Sequence, residues 1–369
     1  MEIGLFVVPF RLPETKFKAG FDWDMQVIQW AEEFGLSELW FGEHTTLGWE
    51  PSCSPEIYIA TAARETERIR LASGANVLPN HNPVALAHRL MMLDHLSQGR
   101  LMVGVGAGAY GADQQIHGAS EPHAMMTESL EIIKKIWNAD GPFKYEGKFW
   151  TCDYPAYSDS LAGPHWKPFQ EGGPPLAMAG LSPKSSTLYQ AGLGGYMPLS
   201  FNVATDYLAG HWERYVEGAE EAGHVADRNQ WRSIHNVFVA DTDEEAYDLA
   251  VNGAMGRTYE EWILPGYKAG GMMPIMAPEV SNPDDVTSAW LAKNKWLVGS
   301  PDTVVERLHN DLEVSGGFGK LIPMVFEYSA QPEAYRRHLE LLGTEVLPRI
   351  KDITHDNQSH AELTASAAH

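Results

Sequence analysis

The chain has 369 residues, of which 44% are hydrophobic and 21% charged, a composition typical of a globular protein with a large core. Its 49 acidic residues outnumber its 27 basic ones, and the net charge of −22 disfavours nucleic acid and anionic membranes as partners. Its two cysteines, Cys53 and Cys152, are too few for a disulfide framework and lack metal-site spacing. There is no signal-peptide pattern and no apolar run long enough to span a membrane. We therefore expect a cytoplasmic protein that acts on small molecules and holds no metal.

Strand-like and helix-like segments alternate along the chain. The first predicted strand, 3–8, is followed by a helix at 22–35 whose apolar residues recur at helical spacing and which ends on Gly35. The remaining strands are predicted at 38–41, 69–77, 100–106, 175–179, 194–200, 232–240 and 320–326. The remaining helices are predicted at 54–66, 83–99, 122–138, 183–192, 205–223, 243–254, 301–314 and 332–349.

Eight strands that alternate with helices predict an α/β fold of the (β/α)8 TIM-barrel type in a single domain, 1–350. Two stretches, 139–174 and 256–295, are too long for ordinary connections and are interpreted as insertions or lids. The polar tail, 351–369, is expected to be flexible. Barrels of this type carry their sites at the C-terminal ends of the strands, so candidate residues are sought there.

The stretch "LMVGVGAGAYGADQQ" has Gly106, Gly108 and Gly111 in the spacing G-x-G-x-x-G after the fourth predicted strand. A dinucleotide fingerprint follows the first strand of its unit and places an acid at the end of the next strand, about 20 residues later. Here Glu131 is at that distance, inside a predicted helix. The glycines therefore do not indicate a dinucleotide fold. They either turn the chain or leave bare backbone for a flat ring or a phosphate at the rim of the barrel, by which we mean the C-terminal ends of its strands.

Three other stretches place polar residues at the same rim. In "AGLSPKSSTL", Ser182 and Ser185 open a helix and could hold an anion or simply cap the helix. In "FGEHTT", His44 is either structural or a proton-handling group oriented by Glu43. In "SGANVLPNHNP", Asn76 could form hydrogen bonds with a heterocycle.

The order of "GEH", "SGANVLPNHNPVALAHRLMMLDHLSQGR", "GVGAGAY", "GLSPKSSTLYQAG" and "VGSPDTVVERL" resembles the bacterial luciferase family of flavin-dependent monooxygenases. The resemblance extends to about residue 350. Within the family, "FDW", "SPE", "LPNHNP" and "GAGAY" are similar to stretches of the two-component Baeyer–Villiger enzymes of the diketocamphane group and of limonene monooxygenases.

This resemblance implies that His44 is the active-site histidine and that a non-proline cis peptide at Gly74 and Ala75 lies against the flavin. In luciferase itself an arginine beside the phosphate stands where this chain has Ala107, which favours looser flavin binding. The flavin-contacting positions that the resemblance implies are Gly74, Ala75, Asn76, Gly106, Ala107, Gly108, Tyr110, and, around the phosphate, Gly180, Leu181, Ser182 and Ser185.

The resemblance implies a homodimeric enzyme that takes reduced FMN from a separate flavin reductase and inserts one oxygen atom of O2 into an apolar cyclic ketone or terpene. A flavin C4a-peroxide would be the oxygen donor, with His44 setting its protonation state. An apolar pocket is expected from Phe6, Trp40, Trp49 and 256–295, side chains equally typical of a core. Two alternatives remain open, a deazaflavin-dependent hydride-transfer enzyme and a non-catalytic flavin-binding protein.

Overall fold

The computed structural model of the chain describes residues 1–155, 167–360 and 362–363. Its strands in chain order are β1 (Glu2–Ile3), β2 (Leu5–Val7), β3 (Glu38–Phe41), β4 (Arg70–Val77), β5 (Leu101–Gly106), β6 (Phe143–Glu146), β7 (Thr151–Tyr154), β8 (Leu176–Gly180), β9 (Met197–Phe201), β10 (Arg232–His235), β11 (Val237–Val239), β12 (Leu297–Gly299) and β13 (Lys320–Pro323).

Nine of these strands form one parallel sheet in the order β1-β13-β10-β9-β8-β5-β4-β3-β2. The two ends of the sheet, β1 and β2, are halves of a single strand interrupted at Gly4, so the sheet closes into a barrel of eight strands. Buried apolar side chains cover both faces of these strands, as parallel sheets require. The predicted TIM-barrel fold is confirmed.

The helices surround the barrel. They are α1 (Phe17–Glu33), α2 (Pro55–Glu65), α3 (Pro83–Leu96), α4 (Gly111–Ile116), α5 (Pro122–Asn138), α6 (Ser186–Gly194), α7 (Leu208–Ala222), α8 (Asp243–Asn252), α9 (Ala254–Thr258), α10 (Leu264–Ala269), α11 (Met273–Met276), α12 (Ser288–Asn294), α13 (Pro301–Ser315), α14 (Pro332–Leu341) and α15 (Leu347–Ile350). None of the helices in the described ranges is both long and apolar enough to cross a membrane.

The strand predicted at 232–240 is two strands. β10 pairs with β9 and β13 in the barrel, whereas β11 pairs with β12 outside it. Asn236 lies at the break, where its backbone carbonyl accepts from the Leu297 N–H at 2.9 Å and its side-chain amide donates to the Tyr259 hydroxyl at 2.7 Å. The prediction of one continuous strand was therefore wrong.

The two predicted insertions have different structures. In 139–174, β6 and β7 form an antiparallel hairpin, and residues 156–166 are outside the described part of the chain. The stretch 256–295 is mainly helical and includes a π-helical turn at Tyr259–Ile263. Below we call 256–295 the rim segment, because its side chains reach residues at the C-terminal ends of the strands.

The first part of the tail contacts the opposite end of the barrel. The N-terminal ammonium of Met1 donates to the carbonyls of Lys351 at 2.9 Å and Ile353 at 2.8 Å. The Asn357 side chain accepts from the Arg228 N–H at 2.9 Å. Hydrogen bonding to the barrel thus continues past Lys351, where the tail was predicted to begin, and most of the tail after His360 is outside the described residues.

Candidate active site

The rim at the end of β4 has an irregular backbone. The peptide bond between Gly74 and Ala75 is cis, as the family resemblance implied, and the pairing of β4 with β5 shifts register between Ser73 and Asn76. A Cβ atom at Gly74 would lie 2.8 Å from the Phe6 ring, so the close packing there requires glycine. This segment presents backbone rather than side chains to the rim.

Asn76 follows the cis peptide and is fully buried. Neither its side-chain oxygen nor its side-chain nitrogen has a hydrogen-bond partner within the described ranges. A buried amide without partners costs free energy, since it has lost water without gaining another hydrogen bond. Such a group is suited to a ligand that offers both a donor and an acceptor, which is the pattern of a heterocycle edge.

The end of β5 contributes the glycine stretch. Gly108 has φ of +84° and a Cβ there would lie 2.9 Å from Val77, so backbone conformation and packing explain this glycine. At Gly106 the nearest contact of a Cβ would be 3.4 Å from Ala75, and at Gly111 there would be none within 4 Å. Gly106, adjoining the cis peptide, therefore leaves bare backbone at the rim that turn geometry does not explain.

The loop after β8 leads into α6. Ser185 is buried and caps the helix, since its hydroxyl accepts from the Leu188 N–H at 3.4 Å. Ser182 is exposed, and its carbonyl accepts from the Nε2 of His211 at 2.8 Å. Burial lowers the pKa of His211 to about 4, so a neutral ring supports the loop near neutral pH. The loop also carries the exposed Lys184, which the sequence reasoning missed.

His44 lies just past β3 with its side chain 19% exposed. Its backbone N–H donates to the Ser52 carbonyl at 2.6 Å, which fixes the loop between these residues. Its ring meets Tyr110 edge to face, with ring centres 5.1 Å apart. Since Tyr110 follows β5, the structure brings together the two rim positions that the sequence predicted separately.

Glu43 does not orient His44, and that prediction was wrong. The Glu43 carboxylate is buried and accepts from the Val77 N–H at 3.0 Å, from Asn80 Nδ2 at 3.1 Å and from His81 Nε2 at 2.9 Å. The side chains of consecutive residues at the end of a strand point to opposite sides. The side chains of Glu43 and His44 therefore lie apart although the two residues are adjacent in sequence. Glu43 instead holds the chain that follows β4.

The partners of His44 are Glu50 and Asp113, which the sequence reasoning did not find. The Nε2 of His44 is 3.2 Å from Glu50 Oε2, and its Nδ1 is 3.9 Å from Asp113 Oδ2. The other Glu50 oxygen accepts from the indole N–H of Trp262 in the rim segment at 2.8 Å. Trp262 stacks on Trp49, with ring centres 6.4 Å apart. Both nitrogens of the His44 ring thus face carboxylates, one of which is attached to the rim segment.

A cavity that opens to solvent lies past the ends of β9, β10 and β13. Its wall combines apolar and aromatic side chains, among them Phe201, Ile234, Tyr259, Met276, Leu291 and Met324, with the polar side chains of Asn202, Thr205, His235, Asn236 and Lys295. Phe6 and Trp40 are fully buried core residues, although Phe6 contacts Phe201 edge to face at 5.3 Å and so connects the cavity to the cis peptide. In the described part of the chain, no cluster of three or more His, Cys, Asp or Glu side chains could hold a metal ion.

The chain belongs to the luciferase-like monooxygenase family, whose family model matches residues 1–317, and it is a flavin-dependent monooxygenase. It is 34% identical to 3,6-diketocamphane 1,6-monooxygenase of Pseudomonas putida in an alignment of 372 positions, gaps included, which covers 95% of this chain and 98% of the relative. It is 28% identical to limonene 1,2-monooxygenase of Rhodococcus erythropolis in an alignment of 384 positions, gaps included, which covers 100% of this chain and 94% of the relative.

A solved structure shows the same fold with its cofactor. The oxygenating constituent of 3,6-diketocamphane monooxygenase of Pseudomonas putida, in complex with FMN, superimposes with a TM-score of 0.90. It is 35% identical to this chain, and the match covers 95% of this chain and 98% of the other. The family resemblance seen in the sequence is therefore confirmed.

The rim has the features that an FMN site needs. The unpaired Asn76 amide and the bare backbone of Gly106 suit a flat heterocycle, while the N-terminus of α6 after Ser185 suits a phosphate. A Cβ at Gly180 would lie 2.6 Å from Leu188, so the approach to that helix is also closely packed. The residues present fit the cofactor of the family.

Proposed function

We propose that this enzyme uses reduced FMN to insert one oxygen atom of O2 into an apolar cyclic ketone or terpene. The observation that carries this proposal is the buried amide of Asn76, which has no hydrogen-bond partner in the described part of the chain and lies beside the Gly74–Ala75 cis peptide, on the same rim as His44. Oxygenation by a flavin needs a seat for the flat ring and, beside it, a group that handles protons. The Asn76 amide supplies the partner for the edge of the ring, and the cis peptide supplies its seat.

The FMN phosphate lies, in this proposal, at the loop formed by Gly180, Leu181, Ser182 and Ser185. The buried Ser185 presents the N-terminal end of α6, where backbone N–H groups favour an anion. Ala107 carries no charge at the position where luciferase has an arginine, and Lys184 is the exposed basic residue of the loop. A phosphate held mostly by backbone groups suits a flavin that enters and leaves during turnover.

Reduced FMN, when bound, would activate O2, so that one oxygen atom passes to the substrate and the other leaves as water while the flavin is oxidised. The protein contributes orientation, exclusion of water and control of one proton. His44 is the proton-handling residue in this proposal, because it is partly exposed on the rim and Glu50 and Asp113 face its two ring nitrogens. Gly106, Ala107, Gly108 and Tyr110 form the neighbouring wall, with Tyr110 against His44.

The cavity past β9, β10 and β13 is proposed to accept the substrate. Its apolar and aromatic side chains can pack against a hydrocarbon ring, its polar side chains can face a polar group of the substrate, and Phe201 at its wall contacts Phe6 beside the cis peptide. The names of two relatives refer to diketocamphane and limonene, which are apolar cyclic compounds. A cyclic ketone would yield a lactone and an alkene would yield an epoxide, so the product distinguishes the two reactions.

The similar solved structure is described as the oxygenating constituent of its enzyme, which supports a two-component system for this chain. We therefore propose that a separate flavin reductase supplies the reduced FMN. We also propose a homodimer, and sedimentation should then give a mass of twice 40.9 kDa. A 40.9 kDa particle at micromolar concentration would contradict the dimer but not the chemistry.

The test is a panel of bicyclic ketones and monoterpenes, incubated with the enzyme, FMN, O2 and a flavin reductase that keeps FMN reduced. We expect a product 16 Da heavier than its substrate, identified as a lactone or an epoxide by mass spectrometry. A reaction without the enzyme corrects for oxidation by free reduced flavin. Reduction of deazaflavin by an alcohol, with no oxygenated product, would favour the hydride-transfer alternative. FMN binding without turnover of any substrate would favour the non-catalytic one.

A further inference from the structure

We propose that Glu50 is the positioning residue of His44 and that Trp262 links Glu50 to the rim segment. The position of the rim segment then sets the orientation of the Glu50 carboxylate, which His44 faces. The inference rests on the proposed function in taking His44 as the proton-handling group. The contacts themselves lie within this chain, so they can be tested without turnover.

The two oxygens of Glu50 have separate partners. Oε2 faces His44 Nε2 at 3.2 Å, and Oε1 accepts from the Trp262 indole at 2.8 Å. The Glu50 side chain is 7% exposed, so its orientation is fixed by these partners and not by water. Trp262 reaches it across 212 positions of sequence and is held by its stack on Trp49. The indole therefore fixes the orientation of the Glu50 carboxylate.

The groups around Glu50 determine its pKa, and the Trp262 indole N–H is one of them. Burial raises the pKa of Glu50, the nearby Asp113 raises it further, and both His44 and the indole N–H oppose this rise. Asp113 is itself held ionised, because the Thr45 and Thr46 N–H groups and the Thr46 hydroxyl donate to it and lower its pKa against the effect of burial.

Two tyrosines complete the surroundings of Glu50. Burial raises the pKa of Tyr267 to about 12 and raises that of Tyr110 as well, with the Glu50 charge adding to both. Both phenols are therefore neutral near neutral pH and supply no compensating charge. Removing the indole N–H leaves His44 as the remaining favourable partner of an ionised Glu50 among these groups.

The first experiment follows the Glu50 carboxyl carbon by NMR in flavin-free enzyme labelled at glutamate, assigned with Glu50→Gln. Trp262→Phe keeps the ring and removes the N–H, so the titration midpoint of Glu50 should rise by about half to one pH unit. Trp290→Phe, a change in the same rim segment away from Glu50, should leave the midpoint in place. An unchanged midpoint in Trp262→Phe would overturn the coupling.

The second experiment measures single-turnover oxygenation against pH, with FMN affinity determined in parallel. Glu50→Gln should lower the oxygenation rate roughly 10- to 100-fold, alter its pH profile and leave FMN affinity within a few-fold. Trp262→Phe should also slow the wild type but have no further effect in the Glu50→Gln background, because the indole acts through this carboxylate. Additive losses would overturn the proposal.

These outcomes separate the inference from the proposed function. If the wild type oxygenates no substrate, the proposed function fails, while the NMR shift still tests the contact between Trp262 and Glu50. If the wild type is active and Glu50→Gln keeps its rate and pH profile, the positioning role fails and the proposed function stands.

Discussion

Replacing Asn76 by leucine should change stability and flavin binding in opposite directions. Leucine has the same branching as asparagine but carries two methyl groups in place of the amide oxygen and nitrogen. Asn76 is fully buried, and neither polar atom of its amide has a hydrogen-bond partner among the residues that the structure describes. An unpaired buried polar group costs about 1–3 kcal/mol. We therefore expect Asn76→Leu to raise the free energy of unfolding of the flavin-free protein by about 1–3 kcal/mol.

The same replacement removes the groups proposed to meet the edge of the flavin ring. Losing about 1.4–3 kcal/mol of binding raises the Kd for FMN roughly 10- to 100-fold. Urea unfolding without flavin gives the first quantity, and a fluorescence titration with FMN gives the second. Asn229 provides the control, because its amide donates to Asp227 and to the His355 carbonyl, so Asn229→Leu should lower stability and leave FMN affinity unchanged. Lower stability with unchanged FMN affinity in Asn76→Leu would refute the reasoning.

Three further predictions concern the rim and the core. His44→Ala should bind FMN within a few-fold of the parent while oxygenation falls by about 10²- to 10⁴-fold, as expected for an acid–base group; parental product yield would make His44 structural. Ser182→Ala with Ser185→Ala should weaken FMN binding by about 1–3 kcal/mol, and Ser185→Ala alone should also lower stability by about 1 kcal/mol through loss of the α6 cap, both measured by titration and urea unfolding. Burial lowers the pKa of His338 to about 3, below the usual 6.5. Between these two pH values the unfolded chain binds a proton at His338 that the folded protein does not bind. The free energy of unfolding should therefore fall by about 1.4 kcal/mol per pH unit as the pH decreases from 6.5 toward 3. His338→Gln should flatten that part of the pH dependence of urea unfolding, and an unchanged slope would count against it.

The barrel could be predicted because its strands are short apolar runs bounded by glycine, proline and polar residues, and because each is followed by a helical pattern. The helix α3 illustrates this, since Asn82 accepts from the N–H groups of Val84 and Ala85 and Pro83 follows it directly. The break at Asn236 could not be predicted, because the apolar pattern continues across it from β10 to β11. Only the pairing partners of each strand differ there.

The rim positions were predictable, but their partners were not. The end of each barrel strand is visible in the sequence, which placed His44, Asn76 and Gly106 correctly on one rim. The partner of His44 depends on how residues 44–52 fold back, with the His44 N–H on the Ser52 carbonyl, and on a contact from Trp262. Glu43 was favoured because it is adjacent in sequence, although strand geometry turns it away. The one available signal for Glu50 was an acidic residue next to Trp49 soon after the histidine.

The most direct test of the central claim is a single turnover with ¹⁸O₂. Enzyme, FMN reduced by a separate reductase and an apolar cyclic ketone or terpene are mixed under labelled oxygen, and the product is analysed by mass spectrometry. The proposed function predicts one ¹⁸O atom per product molecule, formed in wild type and lost in His44→Ala although FMN still binds. Consumption of reduced FMN that yields only hydrogen peroxide across the substrate panel, or a product without label, would contradict it.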